Sequence, residues 1–378
     1  MQERTSGRTG ARGNAAVGAQ PMESVGDTIG VEEEFHVVNA ESGELEAAAR
    51  RVLRGADAEP ELHRSMVETA TAVQTDLSAL RADIVEKRRS LTEACDRLGL
   101  APVAAGTVPG SGSGPSRVYP DERYERMAQE YRQLVDEQQV AACQVQVGVP
   151  DRDQAVRLTR RIREWLPVLL ALSVSSPYFA GQDTGYASYR TVVTSRWPTV
   201  GPPPDLASAA EYEKVVETLV ESGVISDAGM VYFDARPSAR YPTVEVRVAD
   251  SCPRIDDVVL LAALSRALVT VAAEEDDAGR PLPEAPQVLL RAATWRAARS
   301  GLSGHLVDPS TRTAVPAGVR IDAFLNHVRP ALEARGEWET AVDLLADLRG
   351  RGTSATRQRR APSHREAVLA LVAETRQP

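Results

Sequence analysis

The chain has 378 residues, 43% of them hydrophobic, a formal net charge of −9 and three cysteines. That length can bury a substantial core in one domain or two. The acidic balance, with a pI near 5.3, argues against nucleic acid or an anionic membrane surface as the main partner. Of 44 basic residues only Lys87 and Lys214 are lysines, so recognition of phosphate here rests on guanidinium forks. Cys95, Cys143 and Cys252 are far apart and lack CxxC spacing, which predicts free thiols in a reducing cytosol rather than a disulfide framework or a zinc site. Residues 1–24 are polar and rich in Gly and Arg, without an apolar h-region. They read as a disordered extension and not a signal peptide. The longest apolar run, Trp165–Val174, is too short for a bilayer, so a soluble, cytoplasmic protein is expected.

The first predicted element is a strand over Thr28–Val38 (TIGVEEEFHVV), closed by Asn39 and the Glu41-Ser42-Gly43 turn. Alternation puts Glu32, Glu34 and His36 on one face, and Val31, Glu33, Phe35 and Val37 on the other. On this strand alone a solvated face and a site for a divalent cation are both open. Glu61–Thr69 is ambiguous between strand and helix. Asp76 caps an amphipathic helix that Gly99 ends. A short buried strand follows at Leu100–Ala105, then the Val108–Ser116 loop (lid or plain connector) and a helix over about Asp121–Glu137.

Val140–Val149 alternates clearly, with Gln144 and Gln146 on one face and Cys143, Val145 and Val147 on the other. Pro150-Asp151 starts a helix through about Ser173, and the turn-rich, aromatic loop Ser175–Tyr189 ends on Arg190. After an Asp205–Glu221 helix, Met230–Arg236 and Thr243–Ala249 read as strands, the second pairing Glu245 with Arg247 on one face. The rest is helical, with an arginine-rich stretch at Arg351–Arg365 expected to be a solvated, partly mobile surface. An irregular mixture of strands and helices favours α+β with an antiparallel sheet over a doubly wound fold. Three strands thus oppose a Val-rich face to a polar one: Glu32/Glu34, Gln144/Gln146 and Glu245/Arg247. Carboxylates with arginines beside them suit a metal–triphosphate site. There is no P-loop, no GxGxxG and no GxSxG elbow.

These motifs, together with Ser65–Glu68, Leu172–Pro177, Gly181–Arg190 and Arg236-Pro237-Ser238, occur in an order that resembles the type 2 glutamate–cysteine ligase family, the carboxylate–amine ligases of the glutamine synthetase superfamily. The resemblance runs from about residue 27 to about 305. It implies a curved, mostly antiparallel sheet forming a half-open barrel with helices outside. The layout expected is a catalytic domain over 25–350 and an Arg-rich segment with a short helix over 351–378. It implies ATP and Mg²⁺ (or Mn²⁺) as cofactors, with Glu32, Glu34, Glu68 and Glu245 as metal ligands. Arg190, Arg247 and, more weakly, Arg236 would meet phosphates or a substrate carboxylate, with Gln146 beside them. The implied reaction phosphorylates a carboxylate, and an amine then displaces phosphate to give an amide.

The partners would be a small amino-acid carboxylate, glutamate, and cysteine or another amine, with no nucleic acid and no membrane. A homo-oligomer through the apolar C-terminal helices is compatible with the sequence. One departure matters. Where the family carries His-Val-His-Val-Gly, this chain has Gln144-Val145-Gln146-Val147-Gly148, and glutamine is a weaker ligand that takes up no proton. A working ligase with altered metal affinity, one retuned to other substrates, and a catalytically impaired homologue that binds metal, nucleotide or amino acid all stay open.

Overall fold

In a computed structural model, residues 23–111, 117–282 and 284–377 are described. The expected N-terminal extension and the second half of the Val108–Ser116 loop therefore fall almost wholly outside the described residues. The strands in chain order are β1 (Ile29–Asn39), β2 (Glu59–Pro60), β3 (Met66–Ala70), β4 (Leu100–Val103), β5 (Ala142–Gly148), β6 (Tyr178–Phe179), β7 (Gln182–Asp183), β8 (Ala235–Pro237), β9 (Thr243–Asp250), β10 (His305–Asp308) and β11 (Thr313–Pro316), the last two forming a hairpin within the C-terminal third that was expected to be helical. Seven of them form one open antiparallel sheet in the order β2-β3-β1-β5-β9-β8, with β4 pairing the distal half of β1. The α+β class and the open antiparallel sheet expected from the sequence are what the chain adopts.

The Val-rich face of this sheet packs on helices. Ile29, Val31, Val145, Val147, Val244 and Val246 join one core with the helices Leu77–Asp96, Arg152–Ile162, Leu166–Ser173 and Ile255–Asp277. Ile255–Asp277 is buried along most of its length, as a helix clad on nearly all sides must be. One charge lies on this apolar side. Glu33 is held by Arg88, whose Nη2 donates to Oε1 at 2.5 Å and Nε to Oε2 at 3.1 Å. Arg88 also donates to the carbonyls of Cys252 and Pro253. A buried carboxylate is tolerable only when paired and fully hydrogen-bonded in this way.

Several expected elements are shorter than their patterns. The helix predicted over 151–173 breaks into two, because Pro167 has no N–H to donate and its ring crowds the carbonyl four residues back. The helix over 121–137 breaks at Arg132, where φ is +50°. Met230–Arg236 is a 3₁₀ turn at Ala228–Met230 followed by an irregular path, and only Ala235–Pro237 is strand. Its backbone is satisfied outside the sheet, with Tyr232 N donating to Thr199 Oγ1 and Asp234 N to Gly201 O. The ambiguous segment resolves into β3. Within Ser175–Tyr189, β6 and β7 form a hairpin around Ala180 and Gly181, both at positive φ as a type I′ turn requires.

The Arg351–Arg365 stretch is solvated only in part: Arg360 and Arg365 are exposed, but other arginines in it are tied to carboxylates. Arg351 pairs with the buried Asp257, Arg357 with Glu374 and Arg359 with Asp183. These carboxylates lie on three other elements and could not be matched to the arginines from sequence spacing. Among the described residues no helix is long and apolar enough to cross a membrane.

Candidate active site

The polar face of the sheet floors a cleft of about 980 Å³, whose lining also includes Arg123, Tyr124, Arg291 and Trp295. Strand register brings the expected residues together in rows. Glu34 on β1 lies opposite Glu68 on β3, and Glu32 lies opposite Gln144 on β5. Gln146 lies opposite Glu245 on β9, which lies opposite Arg236 on β8. Directly opposed side chains share a face and nearly touch, so Glu32, Glu34, Glu68, Gln144, Gln146, Glu245 and Arg236 are placed by antiparallel pairing alone.

The first row gathers negative charge. Glu34, Glu68 and Glu61 each offer a carboxylate oxygen, all within 4.8 Å of one another. Burial followed by the charge of Glu61 raises Glu34 to about 7, and burial followed by Glu61 and Glu32 raises Glu68 well above its ordinary value. Burial likewise raises Glu61. Three mutually repelling carboxylates whose oxygens converge are a donor set for a hard divalent cation, which would favour the ionised forms that burial opposes. Glu61 is the residue that sequence reasoning missed. It precedes β3 in irregular chain, where no alternation assigns a face.

The second pole is neutralised internally. Arg236 Nε donates to Glu245 Oε2 at 3.0 Å, its Nη2 to Oε1 at 3.3 Å, and Arg247 pairs with Oε1 as well. Burial works to raise Glu245, but Arg247 and Arg236 more than offset it and hold it below the usual range. Glu245 therefore stands apart from the carboxylate trio, bound to two guanidinium groups. Glu32 lies between the poles. Burial and then Glu245 raise it to about 7, against Arg247 and a 3.4 Å hydrogen bond from Gln146 Nε2.

Both glutamines are fully engaged. Gln144 Nε2 donates to Glu34 Oε1 at 3.0 Å, while its Oε1 accepts from Arg247. Gln146 Oε1 accepts from Thr243 Oγ1 at 2.5 Å. Gln144 thus links the acidic pole to the basic one, using its donor toward the carboxylate and its acceptor toward the guanidinium.

Arg190 occupies a different niche. Between Val246 and Ala249, β9 has one residue more than β5 has between Val145 and Cys143, a bulge at Arg247–Val248. Arg190 donates to the two bulge carbonyls, Nη2 to Arg247 O at 3.1 Å and Nη1 to Val248 O at 3.2 Å, and lies 3.7 Å from Asp250. The bulge also inverts the alternation, so Asp250 pairs opposite Ala142 and sits on the polar side. Fully buried, Asp250 accepts from Ser175 N at 2.8 Å and from Ser176 and Ser188 Oγ at 2.7 Å. The cysteines are buried, and burial pushes each thiol up, Cys95 to about 12. A reactive thiolate at neutral pH is not available from them.

A sequence profile of the glutamate–cysteine ligase family 2 matches residues 28–374. The chain belongs to that family. Its members include a protein of Frankia alni provisionally named glutamate–cysteine ligase 2-3, 48% identical over 92% of this chain and 41% of its own length. One of Mycolicibacterium smegmatis, provisionally named glutamate–cysteine ligase 2-2, is 45% identical over 91% of this chain and 88% of its own. The chain spans less than half the length of the first-ranked relatives. Among solved structures, a glutamate–cysteine ligase of Francisella tularensis in complex with AMP matches with a TM-score of 0.67 at 10% identity, over 94% of this chain and 90% of its own. A bifunctional glutathione synthetase of Pasteurella multocida matches with a TM-score of 0.66 at 14% identity, over 92% of this chain and 52% of its own. At such identities the likeness is one of fold.

Proposed function

We propose that the chain is an ATP-dependent carboxylate–amine ligase that joins glutamate to cysteine or another amine. The observation that carries this is the polarity of the cleft floor: converging carboxylates at Glu34, Glu61 and Glu68, and two guanidinium groups around Glu245, joined by Gln144. Mg²⁺ or Mn²⁺ would be held by the trio, with Glu32 alongside, and supplies charge neutralisation of phosphate oxygens when bound. Arg247 and Arg236, locked in place by Glu245, present positive charge at the other pole without reorganising. A carboxylate oxygen of the donor attacks the γ-phosphorus and the bond to the β-phosphate oxygen breaks, releasing ADP. The amine nitrogen then attacks the acyl carbon, phosphate leaves and the amine loses a proton. Such a sequence asks for positioning and charge, and for no protein nucleophile.

ADP formation with glutamate and a panel of amines, at millimolar Mg²⁺ and Mn²⁺, tests the reading. Turnover that depends on the amine is expected, and its absence across the panel would sink the proposal. A second reading, a homologue that binds metal or nucleotide without turnover, is favoured by one observation. The Gln144 carbonyl is tied to Arg247 and is not free to ligate a cation. Gln146→His separates the two readings. A tuned ligase changes little, whereas a crippled one gains roughly tenfold or more in ADP formation as a stronger nitrogen ligand returns.

A further inference from the structure

The cleft lining carries three groups that the carboxylate trio and the arginine pole do not use. Asp234 is 8% exposed, lines the cleft, and its Oδ2 has no hydrogen-bond partner among the described residues. Its main chain is fixed on both sides, with Asp234 N donating to Gly201 O at 2.8 Å and Arg247 N to Asp234 O at 2.9 Å. The carboxylate is therefore held in position rather than stranded on a loose loop. Leaving a buried acceptor unpaired is destabilising, and a charged one more so.

Facing it, the Gln287–Ser300 helix presents Arg291, Thr294, Trp295 and Ala298 to the same cleft, the i, i+3, i+4, i+7 stripe of one helix face. Arg291 is exposed and makes no ion pair among the described residues. Trp295 leaves 47% of its surface open, oriented by a hydrogen bond from its Nε1 to the Tyr186 hydroxyl at 3.3 Å. Burial raises Asp234 to about 6, with Arg190, Thr294 and Arg291 opposing that rise and favouring the carboxylate. Arg190 is already engaged by the bulge carbonyls, which leaves Arg291, among the described residues, as the cation available beside Asp234.

We propose that Asp234, Arg291 and Trp295 form a seat for the zwitterionic head of an α-amino-acid substrate. Asp234 receives the ammonium, Arg291 receives the carboxylate, and the indole covers the carbon between them. A simple amine would leave Arg291 unmatched, and a plain anion would be repelled by Asp234. A ligand that carries both charges on one carbon satisfies the wall. The proposal rests on the ligase reading for the bound molecule's role as substrate, but its test reads binding.

Calorimetric titration of the full chain, with a non-hydrolysable ATP analogue and Mg²⁺ present, compares two series. One is L-glutamate, N-acetyl-L-glutamate and 4-aminobutyrate, and the other is L-cysteine, N-acetyl-L-cysteine and cysteamine. In the series that occupies the seat, the intact amino acid binds roughly tenfold or more tighter than either truncated form, the loss expected for one charge-assisted hydrogen bond. The glutamate series responding would place the carboxylate donor there, and the cysteine series the amine acceptor. Asp234→Asn abolishes the preference over the N-acetyl compound. Arg291→Gln, at an exposed position that leaves the fold intact, abolishes the preference over the decarboxylated one.

Equal binding of all three members of both series, binding by none, or unchanged preferences in both variants overturns the seat. The last result alongside ligase turnover leaves the ligase reading standing without the seat. Shifted preferences without ADP formation from any amine leave the seat standing without the ligase.

Discussion

Glu68 shows how a single carboxylate couples stability to pH in this cleft. Burial and the charges of Glu61, Glu32 and Glu34 raise it in the folded chain, whereas in the unfolded chain a glutamate ionises near pH 4.3. Glu34 is raised in the same way, to about 7. Between these limits the folded state holds more protons than the unfolded one. Stability contributed by Glu34 therefore falls as pH rises from about 4.5 through about 7, and Glu68 adds a fall of the same sign. Removing one charge relieves the repulsion, so Glu68→Gln stabilises the metal-free protein by about 1–2 kcal/mol at pH 8, with the gain vanishing toward pH 4.5. Urea denaturation in EDTA at several pH values measures this, and a gain independent of pH would contradict the repulsion. The same substitution should shrink the rise in Tm that added Mg²⁺ gives the wild type, because a ligand that binds only the folded state stabilises it by mass action.

At the scale of elements, the β9 bulge is the device that shapes the site. The family resemblance implies that Arg190 meets phosphate or a substrate carboxylate, and its geometry adds a second task, bracing two bulge carbonyls and standing beside Asp250. Arg190→Met leaves Asp250 buried without its cation, a class of change that costs about 3–5 kcal/mol. Arg190→Lys should recover little of it, since one ammonium cannot span two carbonyls as a planar fork does. Thermal denaturation of both variants decides this: an unchanged Tm would mean that Arg190 serves ligand alone. Gly106 fits the same node, as a Cβ there would lie 2.8 Å from the Asp250 carboxylate and 2.9 Å from Ser176 Cβ. The alternation of β1, β5 and β9 made Glu32, Glu34, Gln144, Gln146, Glu245 and Arg247 legible in the sequence, because period-two patterning survives in any half-buried strand. A bulge leaves no such mark, so the side on which Asp250 falls was not readable. Glu61 was hidden for the complementary reason, since it reaches the site from chain with no period at all. Ion pairs such as Arg88–Glu33 were unreadable because their partners are brought together only by the packed fold.

For the whole molecule, the question is where the folding unit ends. The helix His364–Thr375 buries Val368, Leu371 and Val372 against Val38, Ala101 and Val103 of β1 and β4. Ala104 N donates to Thr375 Oγ1 at 3.1 Å. Asp257, on the buried Ile255–Asp277 helix, depends on Arg351 for its counter-charge. We therefore predict that a chain ending at Gly350 does not keep a folded ligase-like domain. Exposing those three side chains and their partners costs about 1.5–3 kcal/mol for each residue uncovered, and an unpaired buried Asp257 adds about 3–5 kcal/mol. Together these rival the roughly 5–15 kcal/mol that holds a typical domain folded. Circular dichroism and thermal denaturation of residues 25–350 beside residues 25–378 make the comparison. A truncated chain that melts cooperatively near the Tm of the longer one would establish 25–350 as the autonomous unit. The loss of its transition would make the C-terminal helix a structural wall of the sheet that carries the cleft.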